Sequence, residues 1–105
     1  MSMIIPNVEE LVEEDHLYRK LLKVVDWTEV TFTLRNLYSA KGRAGYAVEQ
    51  GFRCLVLQFL EDQSDRQMER FLKYDVSAKY FTGFGLTEQT PDHAYFGQLR
   101  KRIGT

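Results

Sequence analysis

Side chains able to do chemistry are few in this chain, and their spacing argues against a catalytic centre. Asp15-His16 and Asp92-His93 are two acid–histidine pairs. Carboxylate and imidazole both ligate divalent metals, but neither pair sits in the His-x-x-x-His or Cys-x-x-Cys spacing that preorganises a site. Capping acids with flanking histidines account for both. Cys54, the single cysteine, falls inside an apolar run and reads as a small core residue, and one thiol rules out an internal disulfide framework. Ser64 is taken up as a helix cap, and Gly42-Arg43-Ala44-Gly45 lacks the lysine and spacing of a nucleotide loop. Glu13-Glu14-Asp15 reads as a solvated acidic run. The chain is therefore expected to have no catalytic residue, metal site, cofactor or small-molecule substrate.

What remains is cationic, in three places: Lys41 and Arg43 in a glycine-containing loop, Arg66, Arg70 and Lys73 on a helix, and Arg100-Lys101-Arg102 near the end. Guanidinium and ammonium groups in such clusters are what phosphate recognition needs. Each group also has a use without a partner, since the loop bases can be solvated and the last triplet complements the negative end of a helix dipole. The formal net charge of −1 hides an asymmetry. Residues 1–15 carry five acids and no base, so the remaining residues hold 14 bases against 10 acids, a net +4. A polyanion partner is compatible with that balance.

The middle group is positioned by a pair of helices around which the chain is organised. Val48, Phe52, Leu55, Val56, Phe59 and Leu60 recur at three- and four-residue steps, and Cys54 and Leu57 widen the apolar surface, so this helix must be surrounded. Phe52, Leu55, Val56 and Phe59 are expected at the centre of the core, with Phe59→Ala costing about 3–5 kcal/mol. Glu61-Asp62-Gln63 breaks the run, and Ser64 with Gln67 three residues on forms a capping box for a second helix. On it Met68, Phe71 and Leu72 face one way and Arg66, Arg70 and Lys73 the other. A buried helix, a tight turn and a helix with a basic outer stripe make a helix-turn-helix-like pair.

Asn7 can cap a first helix running to about Val25 with a break near Glu14-Asp15; its apolar stripe includes Val8, Leu11, Val12, Leu17, Leu21, Leu22, Val24 and Val25, with Arg19, Lys20 and Lys23 outside. Asp26 and Glu29 open another helix ending near Tyr38, and residues 39–45 form a loop. Asp75 caps a short helix stopped by Gly83, and Thr90-Pro91-Asp92 starts a last one with Thr90 as the cap. The expected architecture is all-α, a compact bundle of about six short helices forming one domain over residues 1–105. No apolar run spans a bilayer and no signal peptide is visible, which places the protein in the cytoplasm.

Taken in order, Glu14-Asp15-His16-Leu17 with Arg19-Lys20, Val25-Asp26, Leu37-Tyr38-Ser39, Gly42-Arg43, the Leu55–Leu60 helix, Gln63-Ser64-Asp65-Arg66-Gln67, Tyr80-Phe81-Thr82-Gly83 and Pro91-Asp92-His93 ending in Arg100-Lys101-Arg102 resemble the N-terminal helical domain of bacterial insertion-sequence transposases of the DDE type. The family usually has proline after Gly42-Arg43 and often an Asp-Pro pair opening the next helix; this chain has Ala44 and Ala47-Val48. In that family the helical domain precedes a ribonuclease-H-like catalytic domain, which has no counterpart in these residues, so the resemblance implies no cleavage chemistry. It implies a role in transposition through binding of double-stranded DNA at element ends, with self-association or a protein-interaction role as the alternative. Arg66, Arg70, Lys73, Lys41, Arg43, Arg100, Lys101 and Arg102 are the DNA-binding candidates.

Overall fold

The computed structural model describes residues 7–37 and 48–103. These form seven α-helices and no strand: α1 (Val8–Leu11), α2 (Leu17–Val24), α3 (Trp27–Leu37), α4 (Val48–Leu60), α5 (Asp65–Tyr74), α6 (Val76–Thr82) and α7 (His93–Ile103). The fold is all-α. The expected first helix is two, because the chain turns through Glu13–Asp15 before His16 restarts it. His16, rather than Asp15, is the cap: its Nδ1 accepts from the Tyr18 N–H at 3.0 Å. The loop of residues 39–45, with Lys41 and Arg43, lies outside the described residues.

The shortest of the interior helices holds the others together. α6 packs against α1, α2, α4 and α5, and Ala78, Lys79, Phe81 and Thr82 are all buried on it. Phe81 is fully enclosed, with the Tyr18 ring at 5.2 Å and the Trp27 ring edge-on at 5.9 Å. So short a helix needs caps at both ends. The Asp75 carboxylate accepts from the Ala78 N–H at 2.9 Å, and Gly83 stops the helix at φ 85°, its N–H and that of Phe84 both returning to the Lys79 carbonyl. The sequence places both caps correctly.

α4 is helical as expected but turned. Its fully buried side chains are Cys54 and Leu57, while Phe59 is 84% exposed. Phe52 and Phe59 are seven residues apart and so share one side of the helix. The Trp27 ring covers that side at Phe52, 5.9 Å away, and the cover does not extend to Phe59. The expectation that Phe52, Leu55, Val56 and Phe59 form the core centre is therefore wrong: the first three are only partly buried and Phe59 is in the open. A similar correction applies to Leu11, Leu17 and Val24, all exposed, whereas Tyr18 points inward and donates to Glu61 Oε1 at 2.8 Å.

Arg19, expected outside, is largely enclosed. It donates to the carbonyls of Glu9, Val12 and Glu13 and to the Tyr80 hydroxyl, and its guanidinium lies 4.7 Å from the centre of the Tyr80 ring. One side chain thereby joins α1, α2 and α6.

Candidate nucleic-acid interface

α5 begins at the capping box expected for it. The Ser64 hydroxyl accepts from the Gln67 N–H at 3.2 Å, and the Gln67 side chain accepts from the Ser64 N–H at 2.9 Å. The corner before it includes Asp62 at φ 51°, a conformation Asp tolerates better than most side chains. From that start Met68 and Leu72 fall at spacing four and are fully buried, and Phe71 packs beside them. α5 lies against α6 and α7.

The helix carries acids as well as bases, and the fold separates them. Asp65 and Glu69, four residues apart, face α7. Asp65 takes a two-pronged ion pair from Arg100 at 2.8 and 3.0 Å and a bond from Gln58 Nε2 at 2.7 Å. Glu69 Oε1 accepts from the His93 N–H at 2.7 Å and sits 2.9 Å from its Nδ1. The Arg100 hydrogen bond holds the Asp65 carboxyl below the usual carboxylate range, and the bonds from His93 do the same for Glu69. Both acids are thus matched by α7.

Arg66, Arg70 and Lys73 are exposed, and among the described residues neither Arg66 nor Arg70 takes part in an ion pair. The Lys73 ammonium lies 5.6 Å from the Tyr74 ring centre. Among the described residues no helix covers this stripe. Of the last basic triplet, Lys101 and Arg102 are exposed on α7, but Arg100 is drawn into the Asp65 pair. The structure thus brings Arg66, Arg70 and Lys73 into one stripe, attaches α7 beside it, and gives Arg100 a positioning task.

The spacing of Asp65 and Glu69 was a readable sign of this arrangement, since acids at that interval share a side and need a partner. His93 and Arg100, seven residues apart on α7, supply it. Asp92, rather than Thr90, caps α7, its carboxylate accepting from the Tyr95 N–H at 3.2 Å.

Elsewhere, burial pushes the Cys54 thiol up, away from the thiolate that nucleophilic chemistry needs. Among the described residues no group of three His, Cys, Asp or Glu is arranged to hold a metal ion, and no helix is long and apolar enough to cross a membrane.

A family model described as Transposase domain (DUF772) matches residues 6–102. No curated protein and no solved structure matches the chain.

Proposed function

The chain belongs to the transposase-domain family, and from that premise we propose that it binds double-stranded DNA at element ends, with α5 entering the major groove as the second helix of a helix-turn-helix-like pair. One observation carries this reading: α7 engages both acids that face it from α5, Asp65 through the Arg100 ion pair and Glu69 through hydrogen bonds with His93, leaving Arg66, Arg70 and Lys73 in an open cationic line. Arg66, near the N-terminal end of α5, is placed for a base edge, and Arg70 and Lys73 for phosphates. Lys101 and Arg102 extend the cationic surface from α7, and Lys41 and Arg43 belong to the same reading by composition. The reading assigns the domain a binding role, and neither the buried Cys54 thiol nor the Ser64 hydroxyl, committed to its cap, takes part in it.

Titrating terminal-repeat and random duplexes at two salt concentrations tests the proposal. Binding that weakens steeply with salt, tighter on the terminal repeat, is the expected result. No binding even at low salt overturns it.

A second reading has its own observation. Phe32, Phe59 and Tyr74 are 69%, 84% and 72% exposed, aromatic surface of the kind that interfaces use. Assembly with a second copy or another chain would cover them. Sedimentation across a wide concentration range separates the two, and strict monomer behaviour removes the self-association version.

A further inference from the structure

Tyr74 closes α5 and is the aromatic side chain of that helix left in the open. Its hydroxyl has no hydrogen-bond partner among the described residues, whereas Tyr18 donates to Glu61 and Tyr80 accepts from Arg19 inside the fold. Position marks the residue out as much as exposure does. Tyr74 follows Arg66 and Arg70 at steps of four, so it stands beside the basic stripe one turn beyond Arg70. Nine residues, about two and a half turns, separate it from Asp65, which puts it on the flank opposite the side that faces α7. The Lys73 ammonium lies 5.6 Å from its ring centre. Asp75, next in the chain, turns its carboxylate to the Ala78 N–H and the Ser77 hydroxyl at the start of α6.

We propose that Tyr74 is a contact to the DNA backbone: its ring lies against a deoxyribose and its hydroxyl donates to a phosphate oxygen at the rim of the groove that α5 enters. The proposal rests on the reading of α5 as a DNA-binding helix. Arg66 and Tyr74 are eight residues apart, about 12 Å along the axis, which matches the width of the major groove at about 12 Å. With the N-terminal end of α5 at a base edge, Tyr74 falls where the sugar-phosphate wall begins. A phenol suits that place, having an apolar face for the sugar and an O–H for the phosphate. A protein partner suits it less, because lysine is depleted where proteins meet and Lys73 stands against this ring. A duplex uses the same ammonium for a phosphate. The Tyr74 contact has no charge of its own and reads no base, so it adds affinity without adding to sequence preference or to the salt slope.

The test is a salt series of duplex titrations with the wild-type chain, Tyr74→Phe and Tyr74→Ala, together with sedimentation of each. Tyr74→Ala should weaken binding to terminal-repeat and random duplexes alike, by about three- to tenfold at each salt, and keep the wild-type slope of log Kobs against log salt. Tyr74→Phe, which keeps the ring and loses the O–H, should fall between the other two. Wild-type affinity in a folded Tyr74→Ala overturns the contact while leaving the α5 reading intact. A lowered slope overturns it as well, because the effect then runs through a displaced Lys73. A loss confined to the terminal repeat makes the residue a base reader, and self-association lost with duplex binding unchanged makes it a protein contact; either result overturns the proposal. Tyr74→Phe at wild-type affinity overturns the phosphate bond whether or not Tyr74→Ala folds. Wild-type protein that binds no duplex overturns the α5 reading and the contact with it.

Discussion

α4 and α5 follow one another across a four-residue corner and solve the same packing problem differently. α5 is sorted: Met68 and Leu72 are fully buried, and Arg66, Arg70 and Lys73 are exposed. α4 carries apolar side chains nearly all round, with Cys54 and Leu57 enclosed, Phe52 and Val56 partly covered, and Phe59 and Leu60 in the open. The orientation of α5 is written in its own residues, because any other rotation would bury a guanidinium. That of α4 is decided by what surrounds it, since several rotations bury similar apolar area. α3 and α6 select the one that encloses Cys54 and Leu57.

Truncating the buried faces gives the largest effects. Leu57→Ala on α4 and Leu72→Ala on α5 should each cost about 2–5 kcal/mol in denaturant titrations, enough to unfold a marginal domain. A small cost at Leu57 alone would mean that α4 can rotate to compensate. On the outward face of α5, Arg66→Ala should weaken binding to the terminal repeat by about 1–3 kcal/mol and random duplex far less. Lys73→Ala should weaken both and lower the salt slope by about one unit; equal behaviour of the two variants would remove the division between base and phosphate contacts.

The α7-facing side of α5 is probed by acid. Asp65 has a folded pKa held below its unfolded value by Arg100, so its stabilisation is complete above the ordinary carboxylate range and lost as pH falls through the lowered value. Asp65→Asn should flatten that acid limb of the stability profile without changing the slope near neutrality. An unchanged limb would show that the pair is not maintained in solution. Smallest of all, Phe59→Ala should stay within about 0.5 kcal/mol, because little of its surface leaves water on folding. A core-sized loss there would return Phe59 to the interior.

These contrasts explain how much was legible in the residues. The Ser64–Gln67 box, the Gly83 stop, the break after the first turn and the two faces of α5 rest on local chemistry, and all are present. The orientation of α4, the exposure of Leu17 and Val24 and the enclosure of Arg19 depend on residues far along the chain, which no local pattern contains. The residues of α6 declare a helix but not the hub, because seven are too few for a periodicity to show that most of them are buried. Arg100 shows the same limit from the side of function. A terminal cation looks free for phosphate until Asp65 is placed beside it.

Arg19 bears on the cost of closing the chain on itself. Its carbonyl partners lie six to ten residues back, so the bonds that bend α1 against α2 close small loops at little entropic cost. The Tyr80 hydroxyl, by contrast, is 61 residues further on. The bonds at the corner between the first two helices thus need only nearby sequence, whereas the one to Tyr80 closes most of the chain. A single guanidinium therefore ties the cheapest loop closures of the fold to one of its most expensive.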